Sequence, residues 1–138
     1  MSCALNAAYR DFSGPAGDGR AAVVAQADIA DVAVAVLTSG GAYDGRTLNL
    51  TGPVALTMHE IANVLSDHLG RRVSYVAETI EEAYASRAGY GAPPWQVDAW
   101  VSTYTAIAAG ELAGVTEDVA LVTGHPATPL AQVLAAGH

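Results

Sequence analysis

The sequence predicts a small mixed α/β domain in which helices pack on a short sheet, with residues 1–138 forming one domain. Three observations support this fold class. Short segments that alternate apolar and polar residues lie between longer segments whose apolar residues recur at helical spacing. Two of the helical segments begin with a capping box. Hydrophobic residues make up 51% of the 138 residues, which is enough to bury a core.

The first third of the chain is expected to contain a turn, a strand and a helix. Residues 13–20 are rich in glycine and include a proline, which is typical of a turn. Residues 21–26 are predicted to form a short strand. The segment that starts at Asp28 places apolar residues three or four positions apart and stops at Gly40 and Gly41, so it is predicted to be a helix.

The middle of the chain is expected to hold two strands with a helix between them. Residues 46–50 alternate leucine with polar residues, which predicts a half-buried strand. Thr57 and Glu60 have the spacing of a capping box, and the helix that they begin should end at Gly70. The alternation in residues 71–78 then predicts another strand.

Helices dominate the remainder of the chain. A second capping box begins a helix over residues 79–89. The two prolines in residues 90–94 predict a loop, and a long helix is expected over residues 95–110. Thr116 is expected to cap a short helix, and Thr128 is expected to start the last one.

The charge and composition argue against several kinds of partner. The chain has fourteen acidic residues, six arginines and no lysine, which gives a formal net charge of -8. It therefore lacks a basic stripe, and neither nucleic acid nor a membrane surface is expected as a partner. The single cysteine, Cys3, cannot form an intrachain disulfide. With neither a signal peptide nor a long apolar run in the sequence, we expect a cytoplasmic protein.

No cofactor site is predicted. A dinucleotide site needs a strand, a tight glycine loop and a helix N-terminus that receives the pyrophosphate. Gly14, Gly17 and Gly19 approach this pattern, but no strand is predicted before them and a strand is predicted after them. The lysine that would make a nearby tyrosine more acidic for carbonyl reduction is also absent. We therefore interpret the glycines as a turn and expect no nicotinamide site.

No metal site and no nucleophile are predicted either. The four histidines, of which His125 and His138 are the last two, lie far apart in the sequence. His59 and His68 share a predicted helix, but they are nine residues apart, whereas ligands on one helix normally lie three or four apart. The serines lack the G-x-S-x-G context of a nucleophilic hydrolase.

Aromatic and acidic residues around the double proline form the best candidate for a ligand site. Pockets for apolar ligands are lined by aromatic side chains with a few polar groups that fix orientation. The alternative is that the aromatic residues of the long helix are ordinary core and that the aspartate is solvated. The predicted substrate-binding residues are Tyr84, Trp95, Trp100 and Tyr104. The predicted catalytic residues, which would move a proton, are Tyr90, Asp98 and His125.

Five segments in order carry a family resemblance: DIADVAVAVL, GRTLNLTGP, LTMHEIANVLSDHLGRRVSYV, GAPPWQVDAW and VTEDVALVTGHPAT. Over about Gly14 to Ala135 the chain resembles the NmrA-like atypical short-chain dehydrogenases, including their quinone and isoflavone reductase relatives. The resemblance implies the C-terminal half of that fold, which finishes the sheet and closes over the substrate. The N-terminal half, with the glycine-rich loop and most of the parallel sheet, has no counterpart in these residues.

This resemblance implies a small apolar or aromatic ligand, a pocket wall within residues 84–104 and no cofactor-binding residue in this chain. A sheet edge left unpaired would favour homo-oligomers or strand exchange. Three functions remain open. The chain is the substrate-side part of a reductase, with a separate nucleotide-binding partner; or it is a cofactor-independent isomerase, cyclase or lyase acting on a quinone-like or polycyclic natural-product intermediate; or it is a non-catalytic ligand sensor or partner-binding module.

Overall fold

The computed structural model describes residues 11–137, so Cys3 and His138 lie outside the described residues. Within this range the mixed α/β class is confirmed. The elements in chain order are β1 (Asp11–Gly14), β2 (Arg20–Ala21), α1 (Gln26–Leu37), β3 (Leu56–Thr57), α2 (Met58–Leu69), β4 (Ser74–Ala77), α3 (Ile80–Arg87), α4 (Pro94–Ala108), α5 (Asp118–Thr123) and α6 (Leu130–Ala135). A single 3-10 turn, Ala88–Tyr90, follows α3. None of these helices combines the length and the apolar character that crossing a membrane requires.

Strands β1 and β4 form a parallel pair. Asp11 lies opposite Ser74 and Gly14 lies opposite Ala77, so the carboxyl ends of both strands are at the same edge. Strand β4 confirms the strand predicted over residues 71–78, within narrower bounds. Strand β1 was not predicted, because the glycine-rich stretch after it suggested only a turn. A four-residue strand that pairs with a partner about sixty residues away leaves little local signal.

The second pair, β2 with β3, is antiparallel and only two residues long. The strand predicted over residues 21–26 was therefore wrong beyond Ala21. After Ala21 the backbone bonds to two loop segments instead of to a strand. The Ala22 N–H donates to the Leu112 carbonyl, and the Ala22 carbonyl accepts from the Gly52 N–H. Gly52 is packed so closely that a Cβ there would lie 2.0 Å from the Val23 oxygen.

The strand predicted over residues 46–50 was also wrong, since this segment has no strand partner in the structure. Its backbone groups bond to side chains instead of to a neighbouring strand. The Asn49 N–H donates to the Asp118 carboxylate at 2.7 Å, and the Asn49 carbonyl accepts from the Thr116 hydroxyl. The Thr116 N–H in turn donates to the Thr51 hydroxyl at 3.0 Å. Thr116 was predicted to cap α5. It does not do so, because its hydroxyl donates to the Asn49 carbonyl instead.

Both predicted capping boxes are confirmed. In α2 the Thr57 hydroxyl accepts from the Glu60 N–H and the Glu60 carboxylate accepts from the Thr57 N–H. Thr79 and Glu82 form the same reciprocal pair at α3. Helix α2 ends as predicted at Gly70, which has a left-handed φ of 63°. Each box satisfies two backbone groups that a helix start would otherwise leave without partners.

The core lies between the parallel strands and helices α2 and α4. Half of its buried members are alanines, which lets the elements approach closely: Ala16, Ala21, Met58, Ala62, Tyr75 and Ile107. A Cβ on Gly19 would lie 2.2 Å from the Ile107 carbonyl oxygen, so this glycine is required for the contact with the end of α4. The core therefore fixes the loop after β1 against α4.

The C-terminal helix is anchored to α1 rather than capped as predicted. Helix α6 begins after Pro129, one residue later than expected. The Thr128 N–H and hydroxyl both donate to the Asp28 carboxylate, each at 2.7 Å. Asp28 is only 1% exposed, which makes it the one buried charged residue in the part of the chain that the structure describes. This contact joins two segments one hundred residues apart in the sequence.

Candidate functional site

The carboxyl ends of β1 and β4 are the structural centre of the candidate site. In open α/β sheets, ligands bind outside this edge of the strands. The Glu78 N–H donates to the Gly14 carbonyl at 3.0 Å, which holds the two strand ends together. The chain then turns through residues 15–19 after β1 and enters α3 after β4. We call the side chains around these two strand ends the strand-end site.

Tyr75 fixes the backbone on the β1 side of this site. Its hydroxyl accepts from the Ala16 N–H at 3.0 Å and donates to the Gly14 carbonyl. The residue is only 5% exposed. Burial raises the pKa of the Tyr75 hydroxyl above its ordinary value of 10.0, so the group stays protonated and acts as a fixed donor. Tyr75 is therefore a structural residue that shapes the loop.

Arg87 joins four elements at the strand-end site. Its guanidinium pairs with Glu78 at 2.9 Å, and both side chains are 11% exposed. It also donates to the Ser13 carbonyl of β1 at 3.1 Å and to the Ala83 carbonyl of α3 at 2.8 Å. The same guanidinium lies 5.7 Å from the centre of the Tyr104 ring of α4. Few single side chains could hold these elements in place at once, because only guanidinium has a planar fork of five donors.

Two opposing effects act on the Glu78 carboxyl. Burial of Glu78 favours the neutral acid, but hydrogen bonds from Arg87, Ser86 and Ser13 favour the carboxylate more strongly. The net effect lowers the pKa of Glu78 below its ordinary value of 4.5. A charged pair that is this well hydrogen-bonded positions its neighbours, because removing either partner would leave a poorly solvated charge.

Tyr104, a predicted substrate-binding residue, is half-buried at this site. Its ring covers Gly14 so closely that a Cβ there would lie 2.4 Å from the ring. It also packs against the core cluster. The structure thus gives Tyr104 a packing role beneath Arg87, while one part of the ring stays accessible.

The other predicted substrate-binding residues lie on the outer side of α3 and α4. The Tyr84 hydroxyl donates to the Asp98 carboxylate at 2.9 Å, and this hydrogen bond is the main cause of a raised Tyr84 pKa. Tyr90 and Trp100 form an edge-to-face pair with centroids 6.1 Å apart. Tyr90 is 67% exposed and Trp95 is 70% exposed. We call these residues, together with Asp98, the aromatic face. Within it Trp100 is only partly exposed, and because it lies two positions after Asp98 on α4 it is on a different side of that helix from the Tyr84–Asp98 pair.

His125 contacts other residues than those of the aromatic face. Its Nε2 lies 3.0 Å from the Asp31 carboxylate of α1, and its Nδ1 lies 3.0 Å from the Pro126 carbonyl. The Pro126 carbonyl and the Asp31 carboxylate raise the pKa of His125 above its ordinary value of 6.5. The structure thus joins Tyr84 to Asp98 and Tyr90 to Trp100, and it joins His125 to α1.

Residues 14–19 do not fit the pyrophosphate of a dinucleotide. A strand does precede these glycines, contrary to the prediction, since β1 ends at Gly14. The segment after them is β2, which begins at Arg20, so no helix N-terminus follows the loop. Gly14 and Gly19 are packed against Tyr104 and the Ile107 carbonyl instead of facing solvent. In the structure, Gly14 and Gly19 of this loop allow close packing against α4.

Sequence reasoning missed Tyr75, Glu78 and Arg87 as residues of the candidate site. Tyr75 lies in a predicted strand and showed no special spacing. Glu78 precedes α3 and Arg87 ends it, nine residues later. The available signal was a charged residue directly after a strand end, followed by the sole arginine of the next helix. The strand ends of an α/β sheet are where such residues meet a ligand.

No family model matches this sequence. The chain is 39% identical over 122 residues to an NAD(P)H azoreductase from Xenophilus azovorans, an alignment that covers 88% of this chain and 42% of the azoreductase. It is 29% identical over 121 residues to quinone oxidoreductase 2 from Escherichia coli, with the same two coverages.

Solved structures show the same relationship. An NADPH-dependent quinone oxidoreductase from Escherichia coli, solved with NADPH, matches with a TM-score of 0.82 at 28% identity, over 91% of this chain and 44% of that chain. The Citrobacter triphenylmethane reductase with NADP(H) matches with a TM-score of 0.80 at 26% identity, over 94% of this chain and 45% of that chain. The chain is therefore homologous to reductases, and it spans less than half the length of these relatives.

Proposed function

We propose that this chain is the substrate-side part of an NAD(P)H-dependent reductase of the NmrA-like type, acting on a planar aromatic substrate such as a quinone or an azo compound. The observation that carries the proposal is the 39% identity to an NAD(P)H azoreductase over 88% of the chain. Two solved structures, of a quinone oxidoreductase and of a triphenylmethane reductase, match over 91% and 94% of this chain. These matches support a reductase over a cofactor-independent enzyme or a sensor.

The aromatic face suits a planar aromatic substrate. Trp95 and Tyr90 expose most of their surface, which leaves flat apolar area available for stacking. Asp98 lies three positions after Trp95 on α4, so the Tyr84–Asp98 pair is on the same side of that helix as Trp95 and can orient a substrate oxygen or nitrogen. Because Asp98 raises the pKa of Tyr84, the hydroxyl keeps its proton at neutral pH and donates it to Asp98, while the hydroxyl oxygen and the second carboxylate oxygen can accept hydrogen bonds from a substrate. Tyr90 and Asp98 are the proposed proton-handling residues.

The nicotinamide would be held outside the described residues. The loop after β1 does not fit a pyrophosphate. The NAD(P)H azoreductase and the NADPH-dependent quinone oxidoreductase are each more than twice as long as the stretch that matches this chain, so they have further residues that could hold the nucleotide. Within residues 11–137, β4 is the only strand that pairs with β1, and the Ser13 carbonyl of β1 accepts from Arg87. We propose that a nucleotide-binding part packs beside this strand pair, either in a longer chain or in a partner, with self-association as the competing arrangement.

Tryptophan fluorescence tests the substrate side of this proposal. Trp95 and Trp100 are the only two tryptophans of the chain, and both belong to the aromatic face. We expect a naphthoquinone to quench them saturably, with Trp95→Phe losing most of the signal and Tyr84→Phe weakening binding severalfold. Val76→Ala, which alters an exposed apolar residue on β4, is the matched control. Quenching that rises linearly with concentration would contradict a binding site on this face.

A further inference from the structure

A second cluster of polar side chains lies where α1 meets the segment between α5 and α6. One potential ligand atom from each of Asp28, Asp31 and His125 lies within 4.8 Å of the other two. The two aspartates are three residues apart on α1, so they occupy the same side of that helix. We call these three residues the α1 cluster. It is separate from both the strand-end site and the aromatic face.

The imidazole of this cluster is surrounded by acceptors. Its Nδ1 lies 3.0 Å from the Pro126 carbonyl, and its Nε2 lies 3.0 Å from the Asp31 carboxylate. A neutral imidazole carries only one N–H, whereas both of these oxygens are acceptors. With Nδ1–H donated to the carbonyl, the lone pair on Nε2 faces the carboxylate. In that tautomer, a metal ion between Nε2 and the Asp31 carboxylate would accept both as ligands.

We propose that Asp28, Asp31 and His125 bind a divalent transition-metal ion of the zinc class. One imidazole nitrogen and two carboxylates form a mixed nitrogen and oxygen donor set, which Zn²⁺ and Co²⁺ accept and which differs from the all-oxygen sets of Mg²⁺ and Ca²⁺. This inference does not rest on the proposed reductase function. The spacing of the histidines alone predicted no metal site, but here two of the three ligands are aspartates.

The surrounding hydrogen bonds resemble an outer shell of a metal site. Metal-binding histidines usually donate their second ring N–H to a carbonyl or carboxylate, as Nδ1 of His125 can do with Pro126. Ligating carboxylates are usually hydrogen-bonded as well, and Asp28 accepts from both the N–H and the hydroxyl of Thr128. Each Asp28 oxygen keeps a second lone pair for an ion. The orienting contacts are therefore already present.

The distances and exposures allow an ion to enter. Bonds of about 2.0–2.2 Å in a tetrahedral site place ligand atoms roughly 3.3–3.6 Å apart. The Asp31 and His125 atoms are 3.0 Å apart, so they need to separate by only a fraction of an ångström. The His125 side chain is 42% exposed and that of Asp31 is 59% exposed, which leaves a path for the ion and room for a water ligand. A bound ion would join α1 to the segment between α5 and α6.

Calorimetric titration of the untagged full chain with ZnCl₂ at neutral pH tests the proposal, with Co²⁺ absorption as a second readout. We expect one equivalent to bind. Asp31→Asn and His125→Ala should each weaken binding at least tenfold, and both residues are exposed enough for the variants to fold. Thr128→Val should weaken it roughly tenfold, because it removes the hydroxyl hydrogen bond that orients Asp28 and leaves only the one from the backbone N–H. His68→Ala and Cys3→Ser are controls that should bind normally.

Three outcomes would overturn the proposal. Absence of saturable binding in the unmodified chain would leave a protonated His125 as the only cation in the cluster. Equal affinity in Asp31→Asn and His125→Ala would place the ion elsewhere. Loss of binding in His68→Ala or Cys3→Ser would do the same. Far-UV circular dichroism of each variant, compared with the unmodified chain, ensures that the binding data refer to folded protein.

Discussion

Replacing Gly14 with alanine should destabilise the chain by driving a methyl group into the Tyr104 ring. A Cβ at this position would lie 2.4, 2.6 and 2.7 Å from three ring carbons, whereas carbon atoms in ordinary contact are about 3.5–4.0 Å apart. The ring must therefore move by about 1 Å. Gly14 is not among the glycines with positive φ, so the backbone can accept alanine and the cost is one of packing.

Overpacking of this kind typically costs about 1–3 kcal/mol. We expect a loss of about 2 kcal/mol in the free energy of unfolding, which corresponds to a fall in Tm of about 8 °C for a chain of this size. Urea denaturation and thermal melts followed by circular dichroism measure the two quantities. Gly114→Ala is the matched control, because no heavy atom lies within 4 Å of its Cβ position and its φ is not positive. It should change stability by less than about 0.5 kcal/mol.

A double-mutant cycle identifies the cause of the loss. In a Tyr104→Leu background the space beside Gly14 is larger, so Gly14→Ala should cost at least about 1 kcal/mol less than in the unmodified chain. The reasoning would be refuted if the two costs were equal, or if Gly14→Ala alone were as mild as Gly114→Ala. Either result would mean that the ring does not cover Gly14 in solution.

Three further predictions concern the elements that position the strand-end site. Thr57→Ala removes one side of the α2 capping box and should cost about 1 kcal/mol in urea denaturation, with Thr57→Ser retaining most of the stability. Glu78 has a lowered pKa when folded, so its pairing with Arg87 stabilises the chain above about pH 4.5 and is lost as pH falls through the folded value. Unfolding free energy should therefore fall from about pH 5 to pH 3, and Glu78→Gln should flatten that slope. Gly19→Ala should cost more than about 2 kcal/mol or prevent folding, because its Cβ would meet the Ile107 backbone oxygen at 2.2 Å, and a normal melting curve would contradict this.

The parts of the fold that were predicted correctly depend on local chemistry. The capping boxes at Thr57 and Thr79 need only a hydroxyl and a glutamate three residues apart, and both helices begin where the sequence indicated. Gly70 ends α2 for an equally local reason, since a left-handed residue is needed there. These signals lie within one helical turn, so the rest of the chain cannot easily override them.

The parts that were missed depend on contacts distant in sequence. Residues 46–50 alternate like a strand, yet their backbone groups bind side chains from Thr116 and Asp118, about seventy positions later. Thr128 has the appearance of a cap, but the buried carboxylate of Asp28 takes its hydroxyl. No local sequence pattern indicates that a buried carboxylate one hundred residues away needs a hydrogen-bond donor.

The candidate site divides in the same way. The aromatic residues of α3 and α4 could be listed from composition around the double proline, and the structure pairs Tyr84 with Asp98 as two neighbours of one face. The position of His125 beside Asp31 depends on how α5 packs against α1, which the sequence did not indicate. The central place of Arg87 depends on the parallel pairing of β1 with β4, and β1 itself had not been predicted.

The central proposal, a substrate-side part of a reductase whose nucleotide is held elsewhere, is tested most directly by two calorimetric titrations of the same sample. One uses a naphthoquinone and the other uses NADPH. We expect the quinone to bind saturably with one equivalent and NADPH to give no binding heat, since residues 14–19 are occupied by packing against Tyr104 and Ile107. Saturable NADPH binding would contradict a nucleotide site held elsewhere, and absence of quinone binding would contradict the substrate-side assignment.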